Sequence, residues 1–89
     1  MWELRYAAKA TEQLLRLDRS VGRRIRTYLV DVVATGDPRS RGHSLTGSLA
    51  GYWRYRVGDY RVIAQIEDDH LIVLAVAIGH RSEIYKQTT

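Results

Sequence analysis

Trp2, Leu4 and Tyr6 alternate with Glu3 and Arg5, a period of two that predicts a short half-buried strand. From Ala7 the period lengthens. Ala7, Ala10, Leu14 and Leu17 recur at three and four residues with Lys9, Glu12, Gln13 and Arg16 between them, the pattern of an amphipathic helix. Asp18 and Arg19 interrupt that pattern, Ser20 reads as an N-cap, and Val21, Ile25, Leu29, Val32 and Val33 form a second apolar stripe ending before Gly36. Residues 36 to 51 hold the only proline and Gly36, Gly42, Gly47 and Gly51, so they read as a loop, pinned by Leu45 and Leu49. Three runs rich in aromatic and β-branched residues follow: Tyr52 to Val57, Tyr60 to Ile66 and His70 to Ile78. Gly58-Asp59 fits a tight turn with glycine first, and Asp68-Asp69 reads as a second two-residue turn, which makes the C-terminal half an antiparallel meander. From Gly79 to Thr89 the tail is short and polar apart from Ile84 and Tyr85. The expected fold class is α+β with element order β-α-α-β-β-β, a helical hairpin packed on one face of an antiparallel sheet.

With 89 residues, there is room for one small domain, 1–89, whose core comes from two packed layers; a deep cofactor pocket is not expected. The absence of cysteine excludes a disulfide framework, a thiolate metal site and a catalytic thiol. His43, His70 and His80 have no metal-ligand spacing, and neither a phosphate-binding glycine loop nor a nucleophile elbow is present, so no metal or cofactor is expected. No run reaches the ~20 apolar residues of a membrane span and the start lacks the pattern of an export signal, so the expected location is the cytoplasm. The formal charge is +4, and all the bases except Lys9 and Lys86 are arginines. A planar, permanently charged fork suits phosphate and RNA, although a GC-rich genome yields the same bias.

Parity places the arginines. A two-residue turn at Gly58-Asp59 sets Val57 opposite Tyr60, Arg56 opposite Arg61, Tyr55 opposite Val62 and Arg54 opposite Ile63. Trp53, Tyr55, Val57, Tyr60, Val62 and Ala64 then share the face that receives the helices, and Arg54, Arg56 and Arg61 share the other, flanked by Tyr52. Like charges directly opposite are destabilising, so Arg56 facing Arg61 asks for a compensating polyanion; the alternative is a solvated face neutralised by Asp59 or by a carboxylate of the tail. A two-residue turn at Asp68-Asp69 sets Arg61 near Val76 and Asp59 near Ile78, which lets Arg81 approach Arg61. His80, at the end of the last strand, is a side chain able to exchange protons near neutrality. Arg23, Arg24 and Arg26 lie on the outer face of the second helix, where a solvated face or a supporting hold on a large RNA are both open.

Leu45-Thr46-Gly47, the run from Tyr52 to Val62, and the closing Gly79-His80-Arg81-Ser82-Glu83-Ile84-Tyr85, together with the element order, resemble the RelE/ParE superfamily of bacterial type II toxins, and more closely its RelE branch. The resemblance covers nearly the whole chain. It implies an mRNA endonuclease that enters the 30S ribosomal A site, cuts by 2′-hydroxyl attack without a metal, and is held inactive by a RelB-like antitoxin. The complex would be oligomeric and would bind its operator through the antitoxin. Carried over by position, Arg61 and Arg81 stabilise the pentacoordinate phosphate, Arg54 and Arg56 take the places of two basic residues, usually lysines, and Tyr85 stacks on or positions the nucleotide. Tyr52, Arg23 and Arg24 join Arg54, Arg56 and Arg61 as RNA-binding candidates. Guanidinium is a poor proton acceptor. Catalysis therefore leans on charge stabilisation and on alignment of the 2′-hydroxyl, or His80 acts as acid or base. The rival readings are a ParE-like gyrase poison without nuclease chemistry and a catalytically weak relative that binds RNA or a partner.

Overall fold

Strand, helical hairpin and meander follow one another in the expected order in the structure, a computed structural model that describes residues 1–88. Strand β1 (Glu3–Tyr6) leads into α1 (Ala8–Arg16) and α2 (Arg19–Ala34). A two-residue strand β2 (His43–Ser44) and a single 3-10 turn (Gly47–Leu49) precede β3 (Trp53–Val57), β4 (Tyr60–Glu67) and β5 (Ile72–His80), and a short helix α3 (Ile84–Thr88) closes the fold. Thr89, the end of the expected tail, lies outside the described residues.

The sheet order is β1-β5-β4-β3-β2. The sheet is mixed rather than wholly antiparallel, because β1 runs parallel to β5 while the other pairs are antiparallel. A parallel neighbour requires a long crossover, and the two helices with the hairpin that follows provide it. Ala10, Leu14, Ile25, Leu29 and Val32 of the helices pack on Tyr55, Val57, Val62, Ala64, Val73, Ala75 and Ile78. The cap of α2 is Asp18, not Ser20: the Asp18 carboxylate accepts the Ser20 N–H at 3.3 Å and the Ser20 hydroxyl at 2.5 Å. An anionic cap is further favoured by the positive end of the helix.

Two parts of the fold were not expected, and both bear on the opposite face of the sheet. The loop contains β2, which pairs His43 with Arg54 at the edge of β3. Gly42 permits this approach, for its φ is +84° and a Cβ there would lie 2.3 Å from the Arg54 carbonyl oxygen. The tail contains α3, whose Ile84 is completely buried with Ile63 and Ala77 in a second small cluster.

The turn after β4 spans Asp68 to Leu71, twice the expected length, and pairs Glu67 with Ile72. The His70 and Leu71 N–H groups donate to the carbonyls of Glu67 and Asp68, each at 3.3 Å, so both residues close the turn instead of extending the strand. With a register shift at Ile63/Ala64, Arg61 pairs with Gly79 rather than Val76, and Tyr60 pairs with His80. The displacement is odd, and an odd slip exchanges the faces of a strand.

Candidate nucleic-acid interface

The β3–β4 hairpin has the register expected from its two-residue turn: Val57 with Tyr60, Arg56 with Arg61, Tyr55 with Val62 and Arg54 with Ile63. Alternation buries Tyr55, Val57 and Val62 under the helices and sends Arg54, Arg56 and Arg61 to the other face. Arg61 is only 7% exposed. Its Nη1 donates to the carbonyl oxygens of Gly58 and Tyr60, both at 2.9 Å. Burial, then the neighbouring charges of Arg56 and Arg54, and also that of Arg81, hold its guanidinium below its ordinary pKa, with Tyr85 acting the other way. The group nevertheless remains a cation at neutral pH. Arg54 directs Nη1 to the Tyr85 hydroxyl at 3.4 Å, and its buried Nε has no hydrogen-bond partner among the described residues. No ion pair joins Arg54, Arg56 or Arg61 to a carboxylate among those residues.

The turn also reaches the second expected arginine. The Arg81 N–H donates to the Asp59 carbonyl at 2.8 Å, and its Nε lies 3.7 Å from the Asp59 carboxylate. Gly58 takes φ +61°, so the tight turn closes without a side chain in the left-handed region. Two adjacent turn residues therefore hold the two arginines: Gly58 through its carbonyl on Arg61, Asp59 through carbonyl and carboxylate on Arg81. Asp59, the only acid between Tyr52 and Ile66, was legible as a neutralising charge, but its pairing with Arg81 was not.

A family model described as the ParE toxin of type II toxin-antitoxin system, parDE, matches residues 4–85. The chain belongs to the RelE/ParE superfamily of toxins. Over 51 residues it is 35% identical to toxin RelG of Mycobacterium tuberculosis, a stretch that spans 57% of this chain and 59% of that protein. The fold matches the toxin–antitoxin complex RelBE2 of the same organism with a TM-score of 0.82 at 26% identity, over 90% of this chain and 98% of the matched one. It also matches the isolated RelE toxin of E. coli with a TM-score of 0.73 at 21% identity, over 99% and 95% of the two chains.

The remaining candidates of this toxin separate into two groups. Tyr85 and Tyr52 pack on the small cluster of the arginine face. Arg24 reaches from α2 to the turn at the end of the hairpin, its guanidinium lying over Gly58, where a Cβ would come within 2.8 Å of Nη1, and it lines a cleft with Val57 and Arg56 there. Arg23 instead lines the groove between α1 and α2. His80 is also apart from the arginines: it faces α1, and its ring meets that of Tyr60 edge-on at 5.5 Å. The odd register displacement is the reason, since it carries His80 to the helical face while keeping Arg81 beside Arg61. Among the described residues no group of three or more His, Cys, Asp or Glu side chains is placed to hold a metal ion, and no helix is long and apolar enough to cross a membrane.

Proposed function

We propose that this type II toxin is a cytoplasmic endoribonuclease that cuts mRNA in the 30S ribosomal A site by 2′-hydroxyl attack. The observation that carries the reading is Arg61, a buried cation fixed by main-chain carbonyls, unpaired with any described carboxylate and surrounded by Arg54, Arg56 and Arg81. Like charges brought this close oppose folding, whereas a phosphate would answer Arg54, Arg56 and Arg61 together. The 2′-oxygen attacks phosphorus, the bond to the 5′-oxygen breaks, and a 2′,3′-cyclic phosphate forms. The 2′-hydroxyl gives up a proton and the departing 5′-oxygen gains one. Arg61 and Arg81 stabilise the charge of the pentacoordinate phosphate, and Arg54 and Arg56 hold the backbone. Tyr85 positions the nucleotide, with Tyr52 and Arg24 as flanking contacts. Because guanidinium accepts protons poorly and His80 lies on the other face, catalysis rests on alignment and charge stabilisation, and water or rRNA groups of the A site carry the protons.

Solved structures similar to this chain include RelB–RelE complexes, which supports a RelB-like antitoxin as partner; the further expectation is an oligomeric complex that binds its operator through the antitoxin. The description of the matching family model as ParE favours one second reading, a gyrase inhibitor without nuclease activity. Induced expression followed by transcript-end mapping, beside a gyrase supercoiling assay, separates the two. New 3′ ends within translated codons with normal supercoiling are the expected result. Inhibited supercoiling without new ends would overturn the nuclease reading.

A further inference from the structure

His80 is left without a task on the arginine face, yet it lies in a built environment. A cleft of about 610 Å³ opens between α1 and the end of β5, lined by Lys9, Glu12, Gln13, Tyr60, His80 and Glu83 among others. Its walls are fixed. The Gln13 Oε1 accepts the Ile78 N–H at 2.7 Å, tying α1 to β5. The Ser82 N–H donates to His80 Nδ1 at 3.2 Å, and Tyr60 meets the His80 ring edge-on with an interplanar angle of 87°.

Its position relative to the arginines is set by the chain. Tyr60 precedes Arg61 and His80 precedes Arg81, and the paired residues Tyr60 and His80 project to the face opposite the paired Arg61 and Gly79. The cleft therefore opens on the other face of the sheet, around the end of the same two strands that carry Arg61 and lead into Arg81. The lining then decides what part of a nucleotide fits. The carboxylates of Glu12 and Glu83 accept hydrogen bonds from amino groups. The His80 ring offers a surface on which a base stacks, and Lys9 and Arg16 place two cations among the lining groups, where they balance the two carboxylates.

We propose that this cleft receives a nucleobase flanking the phosphate held by Arg61 and Arg81 and favours adenine or cytosine, which carry an exocyclic amine, over uracil. The proposal rests on the RNA reading of the arginine face. Its test uses the intact protein and fluorescein-labelled 2′-deoxy hexamers of adenine, cytosine and uracil, which lack the attacking hydroxyl and report binding alone by anisotropy. The parent is expected to bind the adenine and cytosine hexamers ~10-fold more tightly than the uracil hexamer, the discrimination of one well-placed base. In His80→Ala and in Glu12→Gln, the latter on an exposed stretch of α1, that ratio should fall to about 2-fold or less. Arg61→Ala should instead weaken all three hexamers alike. A parent with no preference, or a ratio unchanged in both variants, overturns the cleft. A parent that binds no hexamer overturns the cleft and the RNA reading together. Preference lost in the variants while transcript mapping finds no cuts upholds the cleft and rejects only the nuclease step.

Discussion

Arg39 lies in a loop beside the sheet and Arg61 within its strand β4, and their surroundings are opposite. Arg39, in the loop before β2, donates through both terminal nitrogens to the Asp68 carboxylate at 2.8 and 2.9 Å and lies 5.9 Å from the centre of the Trp53 ring. The hydrogen bond with Asp68 raises its pKa above the ordinary guanidinium value. Arg61 is buried, is held by carbonyls and faces other cations, and its pKa is lowered, first by burial. One arginine has had its partner supplied by the fold. The other has been desolvated and positioned with the partner left out, an arrangement that costs stability and leaves a charge available to a ligand.

The sharpest way to break this contrast is to remove each arginine in turn. Arg61→Ala and Arg81→Ala should each lower the rate of transcript cleavage by ~10²-fold or more, by analogy with the loss of a donor that stabilises a developing anion. Arg39→Ala should cleave at the parent rate. Quantified 3′ ends from a translating extract measure all three, and equal losses at Arg39 and Arg61 would erase the distinction. The same contrast extends to stability with the opposite sign. Arg61→Met keeps length, removes the buried charge and relieves its repulsion with Arg56, so its Tm should rise by about 4 °C as activity disappears. A fall in Tm would show that the carbonyl contacts outweigh the repulsion.

These differences were partly written in the residue order. The three arginines could be assigned to one face because Gly58-Asp59 demands a two-residue turn, and a turn of known length fixes which residues oppose each other across β3 and β4. The β4–β5 register was not accessible in the same way. Asp68-Asp69 has the composition of a two-residue turn, but Leu71 takes a φ of 54° and the chain spends four residues turning, closed by main-chain bonds that side-chain composition does not announce. The longer turn alone shifts the register by two residues and keeps the faces; the further one-residue shift at Ile63/Ala64 makes the slip odd and sent His80 to the helices. Helix α3 escaped notice because five residues carry little periodic signal, and its place depends on Ile84 meeting Ile63 and Ala77 across the chain. Nor does any side-chain pattern reveal that Arg61 is held by main-chain oxygens.

On the structural side of the comparison stands Tyr55, whose hydroxyl donates to the Pro38 carbonyl at 2.6 Å and anchors the loop that carries Arg39. Burial, reinforced by Tyr28 and opposed by Arg39, pushes its pKa up to about 12. Between pH ~10, where the unfolded phenol ionises, and about 12, the unfolded chain loses a proton that the folded chain keeps. Stability should therefore be full below pH ~10 and decline as pH rises through that window. Tyr55→Phe should lower stability at neutral pH by ~1 kcal/mol and make the alkaline decline shallower, as read by denaturant melts at several pH values. An equally steep decline in the variant would assign the alkaline loss to other groups.

Salt separates the two regions by a smaller margin. If Arg54, Arg56, Arg61 and Arg81 each meet a phosphate of one strand, the logarithm of RNA affinity should fall with the logarithm of salt at a slope near −3, and Arg61→Ala should flatten it by about 0.7. Arg39→Ala should leave the slope alone, since its charge is already answered within the chain.

The smallest expected effect lies in the pair that looks strongest on paper. Arg39 and Asp68 make a bidentate contact, but their side chains are 45% and 60% exposed, and water competes for both. In a double-mutant cycle of Arg39→Ala with Asp68→Asn, the coupling should amount to no more than about 4 °C in Tm, and 1 M NaCl should remove it, because screening then acts within ~3 Å. A larger coupling that survives salt would mean that the loop, and the Trp53 packing beneath Arg39, depend on this ion pair. Arg39 would then be a structural keystone instead of a well-dressed surface charge. Either result leaves Arg61 as the cation whose partner the fold does not provide.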